Sequence, residues 1–281
     1  MTHIAFLGTG LLGSALAEAA AKRGDQVTVW NRTIEKARTL EQFGIRVAPT
    51  PADAVRGADR VHLVLKDDPV VEDVVSAARP GLAPESILLD HTTTLPARTA
   101  ARATRLIAEG VNYLHCPVFI GPAAARAGSG TILVSGPRAL YDRVRDGLAR
   151  MAQRVEYFGE RPDLAAAYKL CGNVLIVGVS AVAADFFAVA AGAELSPADA
   201  IRLRDIVNPP ILSARAENMV AGDFASSFEL TMVRKDVGLM LETAGSRPLA
   251  TLPAIASRVD ALISRGHGAN DLAVIGVDSV S

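Results

Sequence analysis

The sequence predicts an α/β protein, with a doubly wound parallel sheet in the N-terminal half and an all-helical C-terminal half. Three observations predict it. Short apolar runs alternate with helical stretches as far as residue 158, a glycine triplet joins the first run to the first helix, and strand-like runs stop beyond Pro162. Parallel strands need crossover connections, so this alternation implies helices on both faces of one sheet. The expected domains are residues 1–161 and 162–281.

Residues 4–7, IAFL, form the first strand, and Gly8-Thr9-Gly10-Leu11-Leu12-Gly13 opens an alanine-rich helix. Gly8, Gly10 and Gly13 make G-x-G-x-x-G in the context that gives that motif its mechanism. One glycine permits the tight turn, the second lets a pyrophosphate approach the backbone, and the third lets helix and strand pack closely. The helix N-terminus then faces the anion. This is a Rossmann-type unit, and the six turn residues are expected to contact the cofactor. The second strand, residues 26–30, ends in Asn31-Arg32-Thr33 with no acid before Glu35. NAD-selective proteins place Asp or Glu at this tip to hold the ribose hydroxyls. A guanidinium beside a hydroxyl suits a 2′-phosphate instead, so NADP(H) is expected over NAD(H).

A helix over 35–43, a brief strand at 47–48 and a helix capped near Thr50-Pro51 follow. Residues 60–65, RVHLVL, form the next strand, placing Leu65 and Lys66 at its carboxyl end, where open α/β sheets border their ligand crevice. After a helix over 70–78, the strand 86–89 delivers Asp90-His91-Thr92-Thr93-Thr94 to the same edge, and Pro96 starts a helix. A strand over 112–118 leads into the loop Phe119-Ile120-Gly121-Pro122-Ala123, then an alanine-rich turn at 123–127. The strand 131–135, a helix over 141–151 and a strand over 155–158 complete the expected sheet. Helices are expected over 163–193, 197–207, 210–221, 231–244 and 252–265, each broken by Pro or Gly.

With 281 residues, half of them hydrophobic, and a formal charge of −1, the chain offers a large core and no basic face for nucleic acid or an anionic membrane. A small molecule is the expected partner. Cys116 and Cys171 lack C-x-x-C spacing, and the first strand begins within three residues of Met1, so reduced thiols in a cytoplasmic protein without a signal peptide are expected. Residues 174–193 are long and apolar enough to cross a bilayer. Asp185 in their middle argues for a buried helix, covered by its own domain or by a second subunit, and hence for a homodimer or higher homo-oligomer. Asp185 itself is expected to be buried, hydrogen-bonded or subunit-facing, and Cys171 to be a small buried thiol. The five histidines show no ligand spacing, so no metal is expected. Structural roles are expected for His91 and His115.

Lys169 and Asn173 stand i, i+4 at the start of the long helix and share one face. Polar groups on an apolar helix are costly to bury without a task. A desolvated lysine suits proton transfer, with the asparagine amide holding it or a substrate oxygen.

These residues, taken with others, carry a resemblance to the β-hydroxyacid dehydrogenases, the group of 3-hydroxyisobutyrate dehydrogenase and the glyoxylate/succinic semialdehyde reductases. Asp90-His91-Thr92-Thr93-Thr94-Leu95-Pro96 is similar to that family's D-x-S-T-x-x-P segment, and Lys169 with Asn173 to its K-x-x-x-N. Residues 228–239 resemble F-x-L-x-x-x-x-K-D-x-x-L, and residues 266–271 the closing G-x-G-x-x-D. The resemblance implies a helical half of the 6-phosphogluconate dehydrogenase type. It also implies that Thr93 contacts cofactor and substrate, that Lys169 is the catalytic acid/base, and that Lys235 lies near the cofactor. An NADPH-dependent dehydrogenase or reductase acting between a carbonyl and an alcohol is therefore expected.

One stretch departs from that pattern. Where the family reads D-A-P-V-S-G-G and binds a substrate carboxylate, this chain reads His115-Cys116-Pro117-Val118-Phe119-Ile120-Gly121. Val118, Phe119, Ile120 and Gly121 are expected to line a more apolar substrate pocket with Thr93, Lys169 and Asn173. The P-V-F loop resembles the imine reductases, which reduce C=N and generally lack the lysine. A non-catalytic NADPH-binding sensor is the alternative from another class.

Overall fold

The structure of the chain is a computed structural model, in which residues 2–203, 214–246, 249 and 251–280 are described. It divides into two compact units, Met1–Lys169 and Leu170–Ser281.

The first unit is built on six parallel strands: β1 (His3–Leu7), β2 (Gln26–Trp30), β3 (Arg46–Val47), β4 (Arg60–Leu63), β5 (Ile87–Asp90) and β6 (Asn112–His115). Their order is β3-β2-β1-β4-β5-β6. The order reverses between β1 and β4, which opens a crevice at the carboxyl ends of those strands. Side chains alternate along each strand, so β1 feeds two cores. Ile4 and Phe6 pack with Leu16 of α1 (Leu11–Lys22) and with Val144 and Leu148 of a later helix, Arg138–Ala149. Ala5 and Leu7 pack with Val55 of Pro51–Val55, Val71 and Val75 of Asp68–Ala78, and Leu106 of Pro96–Ala108. Both faces are thereby covered, as expected for a doubly wound sheet.

Two sequence expectations are corrected here. The helix expected over 35–43 is split into Ile34–Arg38 and a 3-10 turn, Glu41–Phe43. The Thr39 hydroxyl donates to the Lys36 carbonyl at 2.9 Å, a local bond that competes with helix propagation. The strand expected over 112–118 ends at His115, and a second sheet follows: β7 (Val118–Phe119), β8 (Thr131–Val134) and β9 (Arg154–Tyr157). β7 runs antiparallel to β8, and β9 parallel to it. Pro117 has no N–H to continue the first ladder, and the chain leaves that sheet there. Strand β9 thus completes the smaller sheet and not the larger one.

The long helix α8 (Leu164–Gly192) crosses from the first unit into the second. In the second unit its buried side chains Leu170, Val177, Ala184 and Phe187 form one core with three helices: Ala214–Ala221 (α10), Leu230–Ala244 (α11) and Leu252–Leu262 (α12). A shorter helix, Pro197–Ala200 (α9), follows α8 and runs into a 3-10 turn, Ile201–Leu203. The expected helices over 197–207 and 210–221 extend into residues 204–213, outside the described residues. The last expected helix, 252–265, ends at Leu262 and continues as a π-turn containing Gly266 at φ 94°. One single-residue expectation is also corrected, because Cys171 is exposed in the single chain; Asp185 is exposed there too, which leaves its subunit-facing alternative. Position on the helix decides burial here: only one side of α8 meets the core, and 39% of its most apolar window is buried.

Candidate cofactor and active site

The glycine turn is shaped by close contacts. Gly8 sits at φ +104°, and a Cβ there would stand 2.2 Å from the Val64 carbonyl oxygen. A Cβ on Gly13 would stand 2.1 Å from the Gly8 carbonyl oxygen, so α1 can lie this close to β1 only without a side chain. A Cβ on Gly10 would meet nothing within 4 Å. Gly10 is also the N-cap of α1, and no side chain caps the first turn. The N–H groups of Leu11, Leu12 and Gly13 therefore head a helix twelve residues long without a protein side-chain acceptor. Thr9 is buried, and its hydroxyl has no protein partner. Uncapped amides, backbone open at Gly10 and an orphaned hydroxyl together fit a dinucleotide pyrophosphate.

The tip of β2 is tied to this turn by a residue whose role lies in its amide. Asn31 accepts from the Thr9 N–H through Oδ1 at 3.1 Å and donates from Nδ2 to the Thr33 carbonyl at 2.9 Å. Arg32 and Thr33 are exposed beyond it. After β4, Leu65 is half-buried and its N–H donates to Thr92 Oγ1 at 3.2 Å, while Lys66 is exposed.

Below the loop 90–95, which carries half-buried Thr93, lies a buried polar network that sequence reasoning missed. Asp90 accepts from the Tyr113 hydroxyl at 2.8 Å and from the Thr92 N–H at 3.0 Å, with Arg102 Nη1 at 3.6 Å. Arg102 also pairs with Asp68 and with Glu72, and Asp68 accepts from the Leu95 N–H at 2.9 Å. Burial pushes the Asp90 carboxyl up, but His115, Arg102 and the Thr92 amide outweigh it and hold the group well below the usual carboxylate range. On Arg102, burial is likewise outweighed by Tyr113, Asp90 and Asp68, which raise the pKa.

Two histidines lock the same loop from another side. His91 Nδ1 lies 2.6 Å from the Cys116 carbonyl, and its Nε2 lies 2.8 Å from His62 Nδ1. The carbonyl accepts only, so His91 donates from Nδ1 and accepts from His62. Burial, with His115 adding to it, lowers His91 to about 4, and burial beside His91 drives His62 well down also. Both are therefore neutral near pH 7. His62 stacks between Phe6 and His91, at 4.7 and 5.1 Å between ring centroids. The available signal for His62 was a histidine inside an apolar strand run.

The small sheet seats the start of α8. Ser135, after β8, donates from Oγ to the Pro162 carbonyl at 2.8 Å and accepts from the Ala165 N–H at 3.1 Å. Phe158, after β9, stacks on Tyr168 at 4.0 Å. From β7, Phe119 presents its ring to Lys169, whose Nζ is 4.1 Å from the centroid. Val118 is buried, Ile120 half-buried and Gly121 the exposed N-cap of Pro122–Arg126.

In the second unit, Asn173, buried one turn beyond Lys169 along α8, donates from Nδ2 to Asp236 Oδ2 at 2.7 Å. Lys235 pairs with the other oxygen of that carboxylate at 2.7 Å. Asp236 is thus a partner that the sequence reasoning left unassigned, although it stands beside Lys235 in the K-D segment. Asp271, from the closing motif, accepts from Ala273, Ser227 and Phe228 amides and fixes the approach to α11. No group of histidine, cysteine or acidic side chains suited to a metal occurs among the described residues.

A sheet in this order, with this glycine turn at its switch point, defines a dinucleotide-binding unit. The chain belongs to the family of the NAD binding domain of 6-phosphogluconate dehydrogenase, whose profile matches residues 3–159. An uncharacterized oxidoreductase from Shewanella frigidimarina (strain NCIMB 400) is 30% identical over 87% of this chain and 86% of its own length. Glyoxylate/succinic semialdehyde reductase 2, chloroplastic, from Arabidopsis thaliana is 26% identical over 95% of this chain and 76% of its own length. The cytokine-like nuclear factor N-PAC of Gallus gallus is 28% identical over 86% of this chain, which spans 45% of that protein. Among solved structures, a 3-hydroxyisobutyrate dehydrogenase from Salmonella typhimurium matches with a TM-score of 0.85 at 22% identity, covering 98% of this chain and 99% of the other. An imine reductase from Pseudomonas sp. matches at 0.61 and 23%, covering 98% of each chain. The hydroxyacid dehydrogenase resemblance drawn from the motifs is borne out at the level of family and fold.

Proposed function

We propose that the protein is an NADPH-dependent reductase or dehydrogenase acting between a carbonyl and an alcohol carbon, with Lys169 as general acid/base. The observation that carries this reading is the position of Lys169. It lies in the same compact unit as the glycine turn, with its Nζ against the ring of Phe119. A nicotinamide, when bound, would supply or accept the hydride. Gly8 to Gly13 would hold its pyrophosphate through backbone amides, and Arg32 with Thr33 would take the 2′-phosphate. Thr93 and residues 118–121 form the substrate wall. Lys169 as the ammonium gives a proton to the oxygen that becomes the alcohol; as the amine it takes that proton in the reverse direction. Asn173 and Lys235 are ordered by Asp236, so that the carboxylate orients the asparagine amide and partly neutralises the lysine.

In Lys169→Ala, kcat falls by about 100- to 10,000-fold while the Kd for NADPH is unchanged. Undiminished turnover overturns the assignment. A second reading, reduction of C=N, is favoured by Phe119 and half-buried Ile120 on the substrate loop. A panel of aldehydes assayed beside a cyclic imine separates the two. Tight NADPH binding with no turnover of either class would favour the non-catalytic reading.

The oligomer also belongs to this proposal. Tyr168, Leu175 and Val182 are 50%, 69% and 51% exposed at seven-residue intervals along α8. That stripe suits a second copy of the helix. Cys116 and Cys171, both unpaired, agree with a cytoplasmic setting.

A further inference from the structure

The contact between Phe119 and Lys169 joins two parts of the chain that the sequence treats separately: the substrate loop and the start of α8. Both partners are held from behind. Phe119 lies in β7, paired with Thr131 of β8. Its carbonyl and the Ile120 side chain press against Gly130 at φ +96°, where a Cβ would stand 2.8 Å from Phe119 O and 2.9 Å from Ile120 Cγ1. The backbone that carries the ring is therefore held by the strand pairing and by this close approach. On the other side, the first turn of α8 is fixed by Ser135, and Tyr168, the residue before Lys169, is stacked on Phe158. All three strands of the small sheet hold the same helix start, and Phe119 is the one that reaches the ammonium.

An aromatic face attracts a cation through its quadrupole without accepting a linear hydrogen bond. A carboxylate at this position would instead bind an ammonium N–H and compete with a substrate oxygen for it. A serine would offer no face to rest on. We propose that Phe119 is a positioning residue for Lys169: its ring fixes where the ammonium stands at the substrate loop while leaving the proton-donor geometry to the substrate. This rests on the reading of Lys169 as the proton donor.

The test uses the full chain in the variants Phe119→Leu, Phe119→Ser and Phe119→Tyr, each alone and with Lys169→Met. In Phe119→Leu and Phe119→Ser, kcat falls by about two- to thirty-fold, the span that a cation–π contact of ordinary strength gives. NADPH affinity holds, and Phe119→Tyr restores turnover. In the Lys169→Met background, Phe119→Leu adds no further loss to the residual rate, because the ring has no ammonium left to position. A second readout is independent of turnover. After reductive 13C-methylation of the lysines, the Lys169 resonance, assigned by its loss in Lys169→Met, is displaced upfield by the ring in the native chain and in Phe119→Tyr, and returns to the ordinary position in Phe119→Leu. A resonance that Phe119→Leu leaves unmoved overturns the proposal. So does a moved resonance with unchanged kcat, or a Phe119→Leu loss that persists fully without Lys169. If Lys169→Met keeps full turnover, the proton-donor reading itself fails; if Lys169→Met is inactive and Phe119→Leu is fully active, only the positioning role fails.

Discussion

Acid should destabilise the first unit through the histidine pair under the loop 90–95, in a window that no carboxylate controls. His91 is buried and donates to the Cys116 carbonyl while accepting from His62, an arrangement that requires the His91 ring neutral. In the unfolded chain a histidine takes its proton near pH 6.5, whereas folded His91 refuses it down to about 4. Between those values the unfolded state binds the extra proton, so stability is complete above pH 6.5 and is lost as pH falls toward 4. The shift of about 2.5 pH units corresponds to about 3 kcal/mol for His91 alone. His62, also lowered by burial, adds in the same direction. Unfolded Asp and Glu begin to protonate only nearer pH 4 to 5, so the stretch from about pH 5 to 6.5 isolates the imidazoles. Trp30, the chain's single tryptophan, lies at the end of β2 and makes fluorescence a reporter of this unit. Urea unfolding followed at Trp30 across that window should show His91→Gln losing about one proton of slope relative to the native chain, roughly 1.4 kcal/mol per pH unit. Equal slopes in the two proteins would refute the neutral-pair argument, whatever the variant does to stability at pH 7.

Other outcomes follow from the site and its supports. Arg32→Ala should lower kcat/KM for NADPH by about 10- to 100-fold, the loss of a charged hydrogen bond, and leave NADH unaffected; equal losses with both coenzymes would remove Arg32 from 2′-phosphate recognition. Gly13→Ala puts a methyl 2.1 Å from the Gly8 carbonyl, so NADPH binding measured by fluorescence enhancement should be lost, with about 1–3 kcal/mol of stability. Arg102→Ala should cost about 3–5 kcal/mol in urea unfolding, because it leaves buried Asp68 and Asp90 without their cation.

What the sequence made legible was whatever repeats with a short period or sits within one motif. Strand β2 runs over residues 26–30 as expected, and the glycine turn has the close approaches its spacing implies. The strand over 112–118 failed because an apolar run says nothing about which sheet it joins. Pro117 was a visible warning, but the antiparallel pairing of Val118 with Ile132 depends on a partner fourteen residues away. Burial of Cys171 on α8 failed for a related reason. A helix apolar all round has no moment to tell which face meets the core, so the exposure of Cys171 could not be read from composition.

The polar chemistry was harder to see because its partners come from separate strands and helices. Arg102 looks like an ordinary surface arginine of an amphipathic helix until the start of the helix Asp68–Ala78 and the end of β5 bring Asp68 and Asp90 against it. Asp236 was in view beside Lys235, yet its role depends on Asn173, sixty-three residues earlier in the chain. The same holds for Phe119. By sequence it replaces a polar residue of the substrate loop and suggests only a more apolar pocket. In the structure its ring lies against Lys169, so the substitution that weakens the case for a hydroxy-acid substrate also gives the lysine a support. Retention of Lys169 and the change at position 119 thus stop being opposed signals. If Lys169 is the proton donor, as proposed, the aromatic face steadies its ammonium without competing for its protons.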